Sequence, residues 1–166
     1  MTVYVSLDGL AKLKEKFPSA DYDPEAKNPA LIVPRDELIP VMRYLHDEEG
    51  FDRCGNVTAV DWKDSFEMVY HLYSMEENRK LTLKTKLPHD ELPDVESATQ
   101  VYPGVEYEER EVYDLMGINF LHHPEMKRIL MPDDYPAHPL RKDFVAPVPS
   151  IEKGVLKWTV KQKPSS

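Results

Sequence analysis

The sequence predicts an α+β fold: a two-layer domain with helices packed on a mostly antiparallel or mixed sheet, followed by an extended, proline-rich C-terminal arm. Three observations predict it. Two N-terminal segments repeat apolar residues at three- and four-residue steps, the central third switches to a period of two, and seven of the 15 prolines fall between Pro124 and Pro164.

The elements follow in order. Ser6 caps a first helix whose residues Leu7, Leu10, Ala11, Leu13 and Phe17 share a face, and Pro18 stops it. Residues 19–29 are acidic and turn-rich, and ALIV at 30–33 reads as a short buried strand. A second helix carries Leu38, Val41, Met42 and Leu45 on one face and ends at Gly50; its Pro40 is tolerable only near the first turn. Alternation then marks three strands: one opened by Val57, Ala59 and Asp61, one over 66–75, and one over 81–87, with a hairpin turn at 77–79. After a break at 87–94, residues 97–117 are again helical, interrupted at Pro103-Gly104. Val112, Leu115 and Met116 form its apolar stripe, and Gly117 is a natural residue to end it.

Beyond residue 121 no helical period survives. The reading is therefore a domain over 1–121 and an arm over 122–166. An extended arm cannot satisfy its own backbone, so it must lie along its domain or along a partner. Its last residues, 150–166, are net positive by three, and VLKWTVK at 155–161 has strand propensity with Trp158 as a possible anchor.

Composition excludes several classes of function. With 166 residues and 41% apolar content the chain can bury a core as one domain. Its net charge of −9 opposes binding to a phosphate backbone, so no nucleic acid is expected as a partner. Cys54, the single cysteine, forbids an internal disulfide and a thiolate metal site, and reads as packing. No apolar run approaches the roughly 20 residues of a membrane span, and the N-terminus lacks a basic then apolar leader, so a cytoplasmic chain is expected.

The chemistry-bearing residues are weighed the same way. On a helix, Glu111 and Asp114 are three residues apart, and Arg110 lies four before Asp114. That spacing predicts that Glu109, Arg110, Glu111 and Asp114 form a structural ion-pair network, since a nearby cation lowers a carboxylate's pKa away from proton-transfer work. A metal-dependent hydrolase would have to use His122, His123, His138, Asp133 and Asp134, but no spaced ligand motif is present and adjacent histidines point apart in an extended chain. Phosphate-cradling glycine loops and a serine nucleophile elbow are missing too. No catalytic residue and no metal ligand is therefore assigned. Mixed charges along the arm suit salt bridges across a protein interface, with Arg favoured for its bidentate fork.

Residues 98–144 carry a resemblance. Glu109-Arg110-Glu111, Asp114, Leu115-Met116, His123, Lys127 and Ile129-Leu130 resemble the signature of the respiratory complex I 30 kDa subunit family, the C subunits of NADH-quinone oxidoreductases. The block MPDDY…HPLRKDF (131–144) resembles the second family stretch, and VTAVDW (57–62) a weaker third. Tyr107 stands where Trp is common, and Ala137 replaces a usual Gly. The resemblance implies an α+β subunit without a cofactor or active site of its own. It sits in the peripheral arm of a quinone oxidoreductase, and its C-terminal segment packs on the large, 49 kDa-like quinone-site subunit. That partner and the neighbouring iron–sulfur subunit carry electrons to quinone, and the complex as a whole couples transfer from NADH or another donor to proton translocation. The chain would then reach the cytoplasmic or stromal face of an energy-transducing membrane only through the complex. Related subunits serve hydrogenases, formate hydrogenlyases and complexes fed by ferredoxin or F420H2.

The expected signature residues are Glu109, Arg110, Glu111, Asp114, Gly117 and His123. The expected partner interface comprises Arg128, Asp133, Asp134, His138, Arg141, Lys142, Asp143 and Trp158.

Overall fold

The computed structural model describes residues 3–22, 30–152 and 155–160. Part of the acidic turn (23–29) and eight residues of the basic tail, including Lys153, Lys161 and Lys163, lie outside them.

The fold is α+β. Helix α1 spans Leu7–Lys16, and Ser6 Oγ accepts the Gly9 N–H as its cap. Leu10 and Leu13 face the core, whereas Leu7 is exposed. Helix α2 spans Leu38–Asp47 after a single 3-10 turn, Arg35–Glu37. Pro40 is its third residue, where its missing N–H would have had no helical partner.

The central sheet consists of β1 (Val3–Tyr4), β2 (Asp21–Tyr22), β3 (Ala30–Ile32), β4 (Arg53–Asp61), β5 (Ser65–Ser74) and β6 (Arg79–Pro88). The long meander β4-β5-β6 is antiparallel, as the alternation predicts. At the other edge β1 and β3 run parallel to β6, and β2 lies antiparallel to β3. One face carries Phe66, Met68, Tyr70, Leu72, Leu81 and Leu83, packed with Leu10, Leu13, Val41, Met42 and Leu45 in a single core. The opposite face is a polar ladder, in which Lys84 reaches Glu67 at 2.9 Å.

Helix α3, Glu106–Met116, starts from a 3-10 turn containing Pro103 and lies over β4. Two parallel strands that sequence alternation did not mark, β7 (Asp94–Glu96) and β8 (Asn119–Leu121), bracket this helix. A hairpin, β9 (Val148–Glu152) with β10 (Val155–Thr159), ends the described chain. Among the described residues no helix is long and apolar enough to cross a membrane.

Candidate functional site

Helix α3 organises the region that the motifs single out. Its acidic first turn, with Glu106, Glu108 and Glu109, suits the positive end of the helix dipole. Val105, Glu109, Val112 and Met116 follow one another at four-, three- and four-residue steps, and all are buried. Gly117 closes the helix at φ +72°, and a Cβ there would lie 2.6 Å from His138 Cδ2. Glycine is thus required twice, for backbone conformation and for the close approach of the arm.

The expected network within Glu109, Arg110, Glu111 and Asp114 is not what forms. Asp114 pairs instead with Arg128, whose Nη1 donates to Oδ1 at 2.5 Å. Its Oδ2 accepts the backbone N–H groups of Ile129, Leu130 and Met131 at 3.0, 2.7 and 2.9 Å. Burial alone would raise this carboxyl, but the donors from Met131, Leu130, Arg128 and Ile129 together hold it below the usual range. Arg110 turns away: its Nε donates to the Lys127 carbonyl, and its guanidinium lies over Tyr107. Glu111 is exposed. Glu109 is fully buried and bound by Ser97 and Ala98, and among the described residues no cation pairs with it. The physical reason is reach. A helical i,i+4 pair competes poorly with a segment that offers one guanidinium and three amides to the same carboxylate.

The arm is fastened along its own domain. Arg128 also donates to the carbonyls of Asp114, Tyr135 and Ala137 at 3.1, 2.8 and 3.2 Å. His138 Nδ1–H donates to the Asp114 carbonyl at 2.9 Å, and the Leu140 N–H to that of Leu115. Burial, with Arg128 and Arg141 nearby, outweighs the Asp114 carbonyl and keeps the His138 imidazole more acidic than usual. His123 Nε2–H donates to the Glu106 carbonyl, and its Nδ1 accepts the Glu125 N–H, which fixes the tautomer.

A second buried aspartate repeats the device. Asp61, at the end of β4, accepts the Lys142 N–H at 2.8 Å and the Lys63 N–H at 2.6 Å, with His89 beside it. Burial opposes ionisation here too, and the same donors overcome it. Arg141 closes this end: its Nη groups donate to the Asp90 and Glu91 carbonyls, its Nε to Asp143, and its guanidinium lies over Phe66.

Arg128 and Arg141, expected to face a partner, are therefore turned inward, because carbonyls of an irregular segment need donors. His138 is half-buried in the same work, and Lys142 contributes its backbone while its Nζ sits over Trp62. Asp133, Asp134 and Asp143 remain exposed, and Trp158 Nε1–H donates to Asp134 and packs edge-on to Tyr135. The five residues of the hydrolase reading do not converge. Among the described residues the ligand atoms that do, within 4.8 Å, belong to Asp61, His89 and Asp143. Asp61 there is already occupied by backbone donors.

What the motifs missed is apolar. Leu130 and Leu140 are 60% and 61% exposed, and Ile151 and Val155 on the hairpin 78% and 60%. An isolated two-stranded hairpin is marginal in water. These residues had a sequence signal: large aliphatics in a stretch with no helical or alternating period that could bury them. Between Leu92 and Phe144 the arm leaves a groove of about 750 Å³, walled by His138 and Arg141.

Fold and fastening together define the class: an α+β domain with a C-terminal arm clasped by two buried aspartates. The chain belongs to the family of the respiratory-chain NADH dehydrogenase 30 Kd subunit, whose model matches residues 31–149. It is 41% identical over 137 residues to the C subunit of the NADH-quinone oxidoreductase of Moorella thermoacetica, covering 81% of this chain and 92% of that one. It is 38% identical over 141 residues to the C subunit of the F(420)H(2) dehydrogenase of Methanosarcina mazei, covering 81% and 89%. A chain in the solved structure of the membrane-bound sulfane sulfur reductase, an archaeal respiratory membrane complex, superposes with a TM-score of 0.66 at 30% identity, over 82% of this chain and 84% of that one.

Proposed function

We propose that this chain is a peripheral-arm subunit of a complex I-type quinone oxidoreductase, with no redox centre of its own, and that its arm presents a docking surface to the quinone-site subunit. The observation that supports this reading is the division of labour along the arm. Its Arg128 and several of its backbone amides are held by Asp114 and Asp61, while Leu130, Leu140, Ile151 and Val155 face water. Strongly exposed large aliphatics are ordinary at a protein interface. A pre-fastened arm also loses less conformational entropy on docking.

In this role the chain holds the large, 49 kDa-like quinone-site chain and the iron–sulfur chain in register. Those partners pass electrons on to quinone, the complex takes them from NADH and couples the transfer to proton translocation, and the chain meets the cytoplasmic or stromal face of the membrane only through it. The match to a chain of an F(420)H(2) dehydrogenase supports a second reading of the donor alone, in which reduced F420 replaces NADH.

The test is a mild-detergent pull-down of the tagged chain from native membranes, with mass spectrometry and a visible spectrum. Recovery of a quinone-site chain with iron–sulfur absorption is expected, and the donor-binding companions name the fuel. A colourless, solitary protein overturns the reading.

A further inference from the structure

Glu109 is a buried polar residue that the docking role does not use. It lies fully inside, on the apolar stripe of α3, and no basic side chain among the described residues hydrogen-bonds or ion-pairs with it. Its two partners are neutral. Ala98 N–H donates to Oε1 at 2.7 Å, and Ser97 Oγ–H donates to Oε2 at 2.6 Å. Ser97 Oγ in turn lies 2.5 Å from Thr99 Oγ1 and accepts the Thr99 N–H at 3.2 Å. Thr99 is half-buried.

Glu109, Ser97 and Thr99 thus form a row of hydroxyls leading from a buried carboxyl towards the surface. The hydrogen-bond count works in both directions. With Glu109 ionised, Thr99 donates to Ser97 and Ser97 donates to Glu109. With Glu109 protonated, its O–H donates to Ser97 Oγ, Ser97 donates to Thr99, and the Thr99 hydroxyl turns to water. Ser97 Oγ keeps the Thr99 N–H throughout, so neither state leaves a buried donor or acceptor unpaired.

The titratable groups around it are of one kind. Glu108 is its neighbour on α3, Cys54 faces it from β4, and Tyr70 faces it from β5 with a buried hydroxyl that has no hydrogen-bond partner among the described residues. None is a cation. Burial pushes the Cys54 thiol up to about 12 and the Tyr70 phenol well above its usual value, so both stay neutral.

We infer that Glu109 is a proton-binding site, loaded and emptied through Ser97 and Thr99 by reversal of their hydroxyls without movement of the backbone. Burial, eased by Ser97 and Ala98 and reinforced by Glu108, sets the carboxyl at about 7. The site does not depend on which partners the arm docks.

The experiment is a carbon-13 NMR titration of the glutamate side-chain carboxyls in the purified full chain, with Glu109 assigned from its own backbone amide. The wild-type carboxyl is expected to titrate near neutral pH. Ser97→Ala removes a donor to the charged form and is expected to raise the midpoint by about one pH unit. Thr99→Val, a change of similar volume at a half-buried position, removes the acceptor that Ser97 uses when Glu109 is protonated, and is expected to lower the midpoint and slow proton exchange at Glu109. Titration in the ordinary glutamate range overturns the inference. So does a Thr99→Val chain whose Glu109 exchanges as fast as wild type.

Discussion

Asp114 and Arg128, 14 residues apart in sequence, meet at 2.5 Å in the interior, and the same carboxylate holds the three amides that follow Arg128. One side chain thereby fixes where the arm begins. Asp114→Ala leaves Arg128 buried without its counter-charge and three amides without an acceptor. Removing one partner of a buried pair costs about 3–5 kcal/mol. Urea unfolding of the full chain should show a loss of that order, with limited proteolysis shifting to the segment after His123.

Gly117 tests the fit between the helix end and the arm. Gly117→Ala imposes a left-handed non-glycine residue, about 1–2 kcal/mol, and presses a methyl group into the His138 ring. Thermal unfolding should be lowered by at least the backbone cost, and the His138 ring resonances should move.

The two kinds of buried carboxyl predict opposite pH dependences. The Asp114 and Asp61 carboxyls are lowered in the folded state, so their contribution is present above the unfolded pKa and fades as pH falls through the folded values. Glu109 is raised from 4.5 to about 7, so its contribution is complete below about 4.5 and lost as pH rises to about 7. By linkage that amounts to about 3 kcal/mol. Glu109→Gln offers an N–H to Ser97 Oγ, as the protonated acid does, and should flatten the neutral limb of the stability curve while leaving the acid limb unchanged. Denaturant titrations at several pH values read both limbs.

The exposed aliphatics separate docking from folding. Ile151→Asp and Leu140→Asp change side chains that are mostly exposed, so unfolding free energies should stay within about 0.5 kcal/mol of wild type. Recovery of partner chains in the pull-down should nevertheless fall sharply for either variant.

The sequence made the helices and the meander legible because their signals are local. Ser6 caps α1, Gly117 ends α3, and Phe66, Met68, Tyr70 and Leu72 alternate inward. The parallel pairings of β1 and β3 with β6, and of β7 with β8, were not legible, since short strands do not encode which neighbour they choose. The ion-pair expectation failed for a related reason. Spacing on a helix shows which residues can meet within it, not what a later segment brings; Arg128 arrives from outside. Glu109 was readable after all, because its steps to Val105, Val112 and Met116 place it on the buried stripe. Its charge drew attention away from its position.

Amide hydrogen exchange at Ile129, Leu130 and Met131 in the free full-length chain, followed by NMR, tests the clasped arm most directly. If the arm is held to its own domain before any partner arrives, these three amides are protected together, and Asp114→Asn releases all three. If they exchange at the rate of an unstructured segment in the wild-type chain, the arm is not held by Asp114, and the docking surface does not exist until a partner builds it.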